Sequence, residues 1–433
     1  MNTTYLLLGI SCAAPLVLWV VLKRPLWLWY TLIFILLEPS RYLSLSSISL
    51  GYFSFKAYEL LLPLIYLASF IHRKRPLREC IKPALSLFFL CTLISLFHGL
   101  NAGYGVSAFN YFRPFFSIGI AICVPLFFDN SEDLFKVGRF FVITATFFIL
   151  IELISLETNL GYNFVYSPLR AKYHTLMSDT SCTNMAFIFI FIFAMFDISM
   201  PHAWVYFLLL AFSLLCTIVS SARAVWVGML VSLTGFFVLA RARTKVYLTF
   251  FVMVGIILLF LLSSMYIARY DMTLAERIPL FLSSDEGNAR WRLMAWHQTI
   301  EDISQHPLIG WPMGAEPLFY VENSGVFNSS AAHNEYLKIA RYTGIPGILF
   351  FLIYCFSLSW RSVVSLFQIT GKQRQKTLAL FLCFVFIMVT SAFSQRITSL
   401  DICPFIWGNV GALELSLLQN KKSGSQVSLE GAS

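Results

Sequence analysis

Apolar stretches of about 20 residues recur along almost the whole chain, and this recurrence limits the possible folds more than any other feature. One such stretch crosses a hydrocarbon core of roughly 30 Å as a helix. Inside a bilayer each backbone polar group must be paired, so only helices and closed barrels can cross. The short alternating strands of a barrel are not seen in the sequence. The sequence therefore predicts an all-α polytopic membrane protein with about 12 or 13 transmembrane helices.

The charged residues support this class and set the topology. Only 12% of the 433 residues are charged and 58% are hydrophobic, whereas soluble proteins average about 25% charged residues. The net charge of +9 lies mainly in short connections between apolar stretches, so it indicates membrane orientation and no nucleic-acid partner. The most basic connection, His72–Arg78, is predicted to be cytoplasmic by the positive-inside rule.

Four segments follow from this assignment. Residues 1–265 are predicted to hold ten crossings, of which the third spans Tyr52–Ile71. Residues 266–344 form a large outer loop with two short helices. Residues 345–422 hold the last three crossings, and residues 423–433 form a disordered cytoplasmic tail.

The large loop contains an amphipathic helix. Asn288 is a suitable N-cap for a helix from Ala289 to about Gln305, and Pro307 ends it because the residue before a proline avoids helical angles. Spacings of three and four place Arg290 and His297 on one face. Two interpretations stay open for this helix and its tryptophans, Trp291 and Trp296: contact with the bilayer surface, or binding of a ligand that includes a sugar ring.

A second loop helix is predicted to start at Ser329 or Ser330 and to break at Gly344-Ile-Pro-Gly347. It carries His333, Leu337, Ala340 and Arg341 along one face. His333 would then lie in the first turn, where the helix macrodipole disfavours a charged imidazole. A neutral imidazole can act as a general base near pH 7. The alternative is a histidine at the membrane interface without a chemical role.

Arg223 lies at the outer end of a predicted crossing. An arginine there can simply extend its side chain to the interface, since a guanidinium costs roughly 2.5–3.5 kcal/mol only near mid-bilayer. Alternatively it faces the bundle interior and binds an anion, because its planar fork matches a phosphate group.

Other chemistries have no motif support. The sequence has no Asp-x-Asp pair, no His-Glu-x-x-His, no Gly-x-Ser-x-Gly and no phosphate-binding loop motif. Its nine cysteines are scattered singly, so neither a disulfide framework nor a zinc site is expected. We predict no metal and no cofactor.

Three segments together resemble the O-antigen ligase superfamily of bacterial inner-membrane glycosyltransferases. They are Ser220-Ser-Ala-Arg-Ala-Val-Trp-Val-Gly228, the pattern from Arg290 to Gly310 that ends in His-Pro-Leu-Ile-Gly, and Ala332-His-Asn-Glu-Tyr-Leu337 followed by Gly344-Ile-Pro-Gly347. The chain departs from the family at Gly310-Trp-Pro-Met-Gly314, where relatives usually have a closer glycine pair.

The resemblance implies a class C glycosyltransferase fold and a metal-independent reaction at the periplasmic face of the cell inner membrane. Undecaprenyl pyrophosphate would carry the donor glycan, and a lipid A core sugar or a growing glycan would be the acceptor. The resemblance implies catalytic roles for Arg223, Arg290 and His333, with His333 as the base. The candidate substrate-binding residues are Arg292, which could also replace Arg290, together with Trp291, His297, Asn334 and Arg341.

Two enzyme functions stay open, because a polysaccharide ligase and an O-antigen or exopolysaccharide polymerase need the same donor site and differ in the acceptor. A lipid-linked glycan transporter is a third alternative. Transporters of that kind show paired repeats and interrupted helices at mid-membrane, and the sequence shows neither.

Overall fold

The computed structural model describes residues 17–37, 47–50, 53–158, 179–195, 202–219, 223–240, 287–316, 318–321, 325–328, 333–394, 396–400 and 402–430, with single positions at 246, 253 and 257. The predicted first crossing (Thr3–Leu22), the tenth (Val246–Met265) and the polar loop Glu157–Thr180 lie for most of their length outside these residues.

Helices dominate the described residues. Before the large loop they are α1 (Val17–Lys23), α2 (Leu26–Leu37), α3 (Ala57–Ile71), α4 (Leu77–Cys80), α5 (Pro83–Asn101), α6 (Gly105–Phe116), α7 (Ile118–Phe127), α8 (Ser131–Thr158), α9 (Asp179–Met195), α10 (Ala203–Val219) and α11 (Arg223–Leu239). The later ones are α12 (Gly287–Gln305), α13 (Glu335–Gln368), α14 (Gly371–Ser391) and α15 (Cys403–Glu430). Because α15 continues to Glu430, the backbone is helical through most of the predicted disordered tail.

The helical membrane class is confirmed, whereas the number of crossings stays a prediction. Within the described residues, four helices are long and apolar enough to span a bilayer: Pro83–Asn101, Gly105–Phe127, Glu335–Gln368 and Gly371–Ser391. The α1–α2 pair, bent by 119°, is a fifth candidate. Shorter apolar helices are Ala57–Ile71, Thr183–Met195, Trp204–Leu214 and Ala224–Leu239.

Two antiparallel hairpins depart from the all-α prediction. Strand β1 (Ser47–Leu50) pairs with β2 (Phe53–Lys56), and β3 (Leu318–Val321) pairs with β4 (Gly325–Asn328). The predicted third crossing from Tyr52 is therefore wrong at its start, since α3 begins at Ala57. The residues of β1 and β2 alternate between polar and apolar, which is a strand period, and mean hydropathy over a long window hides this alternation.

The chain divides into two compact units, and the first consists of residues 1–83, 116–151 and 400–433. In this unit α7 packs closely on α15: a Cβ added at Gly411 would lie 2.7 Å from Cβ of Val124. The buried Arg75 donates from Nη1 to the Pro125 carbonyl at 2.9 Å and from Nη2 to the Asp129 carbonyl at 2.6 Å, so it satisfies carbonyls at and just beyond the C-terminal end of α7. Arg75, one of the charged residues of the basic connection His72–Arg78, therefore stabilises the packing of this unit.

The second unit consists of residues 84–115 and 152–399, and α14 is its central helix. Ser232 Oγ of α11 donates to the Leu382 carbonyl at 3.2 Å. At the other end of the pair, Arg374 Nη2 donates to the Leu239 carbonyl at 2.6 Å. These two contacts show that α11 packs antiparallel to α14. The start of α11 therefore lies near the C-terminal end of α14.

Candidate active site

A buried arginine joins the two helices that carry the candidate residues of the loop. The Arg341 side chain, only 5% exposed, donates from Nε to Asp302 Oδ2 at 2.6 Å and from Nη1 to the Ala315 carbonyl at 2.8 Å. Its guanidinium also lies 5.3 Å from the centroid of the Trp311 ring. These charge-assisted bonds hold α12 against the first turns of α13.

The His-Pro-Leu-Ile-Gly turn is bonded to a kink in α13. Trp311 N–H donates to the Arg341 carbonyl at 2.7 Å, and Ile345 N–H donates to the Pro307 carbonyl at 2.8 Å. Between these bonds Gly344 has φ 68° and non-helical geometry. A Cβ there would lie 2.9 Å from the Pro307 oxygen. The predicted break at Gly344-Ile-Pro-Gly347 is therefore confirmed as a kink, and glycine is needed both for its φ and for the close approach.

The wide glycine pair that departs from the superfamily pattern makes two separate contacts. Gly310 and Gly314 have φ values of 80° and 97°. A Cβ at Gly310 would lie 2.6 Å from the Tyr342 oxygen, and one at Gly314 would lie 2.6 Å from the Ala108 nitrogen of α6. Ser107 Oγ also donates to the Gly314 carbonyl at 3.1 Å. The turn therefore docks on α13 through one glycine and on α6 through the other.

His333 lies just before α13. The helix begins at Glu335, and its N-cap is Asn334, whose side chain accepts the Leu337 N–H at 3.2 Å. His333 has φ 47° and is half-buried. The prediction that His333 belongs to the first helical turn is wrong, because Asn334 is a strong cap one residue later and a positive φ is incompatible with an α-helix.

The first residue of α13 binds a distant segment. Glu335 is fully buried, and its carboxylate accepts the Arg396 N–H at 2.8 Å and the Thr398 hydroxyl. Arg396 and Thr398 are themselves buried, with 2% and 5% of their surfaces exposed. A carboxylate is favourable at a helix N-terminus. Here it ties the connection between α14 and α15 to the residues that follow His333.

The starts of α11 and α13 lie at the same end of α14. Gly228, in the second turn of α11, packs against side chains in the last turns of α14. Tyr336, in the first turn of α13, donates its hydroxyl to the Met388 carbonyl at 2.7 Å. The backbone of Arg223, which opens α11, and that of His333 are thereby brought to one end of this helix.

The comparison with known families matches this same region. Residues 208–352 match the family model described as O-Antigen ligase. Over this stretch, about a third of the 433 residues, the chain is similar to the O-antigen ligase family. This family comprises glycosyltransferase-like membrane enzymes of polysaccharide biosynthesis, and their substrates are a lipid-linked glycan and an acceptor. No curated protein matches the chain.

The matched residues 208–352 include all the predicted site residues. The structure describes some of these site residues only as backbone. The side chains of Arg223, Arg290 and Trp291 lie outside the described part of the structure. Their backbones open α11 and α12, the helices predicted to carry them. Arg292 is half-buried in the second turn of α12. The catalytic and substrate-binding roles of these four residues stay predictions.

The other three residues predicted to bind substrate already have protein partners. His297 is exposed, and its Nδ1 lies 3.3 Å from Glu301 Oε1 in an i,i+4 pair. Asn334 caps α13. Arg341 is paired with Asp302 at the junction.

Two residues near His333 were not predicted. Glu335 follows directly after the His-Asn pair, so its position near a helix start could be predicted. Its partners, Arg396 and Thr398, are distant in sequence and could not. Lys338, one turn into α13, places Nζ 5.9 Å from the ring centroid of Tyr111 in α6. The periodicity of the sequence does not reveal such contacts, because the two partners are far apart in sequence.

Proposed function

We propose that this chain is a metal-independent glycosyltransferase that moves a glycan from undecaprenyl pyrophosphate to an acceptor hydroxyl at the periplasmic face of the inner membrane. The observation that supports the proposal is that the starts of α11 and α13 lie at the same end of α14, and that both starts fall within the matched residues 208–352. The backbones of Arg223 and His333, distant in sequence, therefore lie near the same end of this helix.

In this proposal His333 is the general base. The acceptor oxygen attacks the anomeric carbon, the bond from that carbon to the pyrophosphate oxygen breaks, and the pyrophosphate leaves with the electron pair. The hydroxyl proton passes to the imidazole of His333. Direct displacement inverts the anomeric centre. A positioned base typically contributes 10²- to 10⁴-fold, and the Asn334 cap together with the Glu335 carboxylate fixes the backbone beside His333.

Arg223 and Arg290 are proposed to stabilise the negative charge that builds on the departing pyrophosphate. Guanidinium groups suit this role because they donate in a fork that matches phosphate oxygens, and preorganised donors are strongest where water is excluded. Arg223 opens the apolar helix α11, and in this proposal it lies at the depth of the phosphates of the membrane carrier. Arg292 is the alternative partner on α12.

The ligase and the polymerase hypotheses differ in the acceptor, so an assay that varies the acceptor distinguishes them. The chain is reconstituted with a carrier-linked oligosaccharide, with and without lipid A core. Modified core supports the ligase that we favour, and a longer carrier-linked chain supports the polymerase. Movement of an unchanged glycan across the bilayer would show a transporter and would reject both enzymes.

Variants in the same assay test the residue roles. His333→Ala should lower transfer by about 10²- to 10⁴-fold with donor binding largely intact. Arg223→Ala should also weaken donor binding, by about 10- to 100-fold if one charged hydrogen bond worth roughly 1.5–3 kcal/mol is lost. Lys372→Ala, an exposed lysine at the opposite end of α14, is the matched control and should leave both unchanged. Full activity of His333→Ala between about pH 6 and 8 would exclude the base.

A further inference from the structure

The turn between α12 and α13 exposes two large aliphatic side chains. Leu308 is 74% exposed and Ile309 is 52% exposed. They are adjacent at the tip of the His-Pro-Leu-Ile-Gly turn, so together they form an apolar point. Scattered exposed apolar residues are ordinary, whereas contiguous ones mark a contact surface.

This point has a fixed position relative to the membrane helix. Ile345 N–H donates to the Pro307 carbonyl at 2.8 Å, directly before Leu308. On the other side Gly310 N–H donates to the His306 carbonyl at 3.0 Å and closes the turn. The tip is therefore held beside Ile345, where α13 continues after its kink.

The apolar point lies beside the start of an exposed apolar face on α13. Along that helix Ile345, Leu349, Phe356 and Trp360 are 44%, 50%, 72% and 62% exposed. The helix is long and apolar enough to cross a bilayer, so this face is the one that lipid chains cover. The backbone of Leu308 thus lies beside the start of this exposed apolar face.

One edge of α12 has the same character. Leu293 and Ile300, seven residues apart and therefore on one edge, are 56% and 55% exposed. The neighbouring edge carries the exposed polar side chains of His297 and Glu301, whose Nδ1 and Oε1 atoms lie 3.3 Å apart. An exposed helix side that is apolar along one edge and charged along the next is suited to the boundary between lipid and water.

We propose that Leu308 and Ile309 enter the hydrocarbon of the leaflet at the N-terminal side of the α13 crossing. The edge formed by Leu293 and Ile300 rests on that leaflet, with the pair of His297 and Glu301 toward water. Helices at such interfaces bury their apolar side by about 5–10 Å. The bilayer then supports α12 from outside, as the Asp302–Arg341 pair does from inside.

Photocrosslinking tests this contact in the full chain. A photoreactive phenylalanine analogue replaces one residue at a time, and the protein is placed in nanodiscs of phosphatidylethanolamine and phosphatidylglycerol. Intact-mass spectrometry then identifies the adducts. Phe356, exposed on the crossing, is the positive control. Glu301, on the charged edge of α12, is the negative control.

The expected result is a phospholipid adduct at Leu308 and at Ile309 with a yield comparable to that at Phe356, and background yield at Glu301. An adduct with a second copy of the chain at Leu308, or no adduct there while Phe356 is labelled, would overturn the proposal. Equal phospholipid yields at Leu308 and Glu301 would also overturn it, because the surface would then have no orientation. The readout needs no transfer activity and is independent of the proposed function.

Discussion

Replacing Arg341 by methionine should loosen α12 without unfolding the membrane helices. The substitution keeps most of the side-chain volume and leaves Asp302 without its cation. Removing one partner of a buried ion pair costs roughly 3–5 kcal/mol. The Asp302 side chain is 25% exposed, so water can partly compensate, and we expect about 3 kcal/mol, the lower end of that range. Since each 1.4 kcal/mol is a tenfold change, local opening should increase about a hundredfold.

Hydrogen exchange followed by mass spectrometry, with the protein in nanodiscs, measures this opening. Amides in the second half of α12 should exchange about a hundredfold faster in Arg341→Met, because their exchange requires local opening. Amides of α14 should keep their rates. The control His297→Ala breaks an exposed pair, which contributes at most about 1 kcal/mol, so its effect should stay below roughly fivefold. If exchange in α12 rises less than about tenfold in Arg341→Met, or rises equally in α14, the Arg341–Asp302 pair does not hold α12 in place.

Two further substitutions probe the neighbourhood of the junction. Gly344→Ala and Gly371→Ala both place a side chain at a positive φ, 68° and 66°, and this costs about 1–3 kcal/mol at each position. The two positions differ in their surroundings. A Cβ at Gly344 would meet the Leu308 carbonyl, whereas nothing lies within 4 Å of a Cβ at Gly371. Gly344→Ala should therefore lower the thermal unfolding midpoint more, and equal shifts would contradict the close contact. Glu335→Gln should weaken the hydrogen bond from Arg396 N–H by about 1 kcal/mol, and Glu335→Ala should remove it. The exchange rate of the Arg396 amide should rise as residue 335 changes from Glu to Gln to Ala. An unchanged rate in the Ala variant would show that the Glu335 carboxylate does not hold this segment.

The loop helix was predictable because its signals are local. Asn288 and Pro307 predicted a helix from Ala289 to about Gln305, and α12 spans Gly287–Gln305. The end is as predicted, whereas Asn288 is the second residue of the helix and not its cap. The break near Gly344 was predictable for the same reason, since glycine and proline act on their own backbone and that of their neighbours. Local rules therefore predicted this helix and this kink, whereas the β3–β4 hairpin of the same loop was not predicted.

The contacts between those elements were not predictable, because each depends on residues far apart in sequence. The Glu335 carboxylate could have been placed at a helix start, yet nothing in its surroundings indicates that Arg396 and Thr398 supply its donors. The start of α13 shows the same limit on a smaller scale. Serines and Asn334 were both acceptable caps by residue type, and the positive φ of His333 decides between them.

Because Arg341 is paired with Asp302, its positive charge is not available to attract an anionic substrate. Sequence spacing places Arg341 on the same helix as His333, which makes it a reasonable ligand for a pyrophosphate. In the structure its Nε and Nη1 donate to protein oxygens, and the carboxylate at 2.6 Å cancels most of its field. A neutralised pair adds little attraction for an anion. We therefore expect Arg341 to position the loop, and we expect the donor charge to be met by the arginines that open α11 and α12.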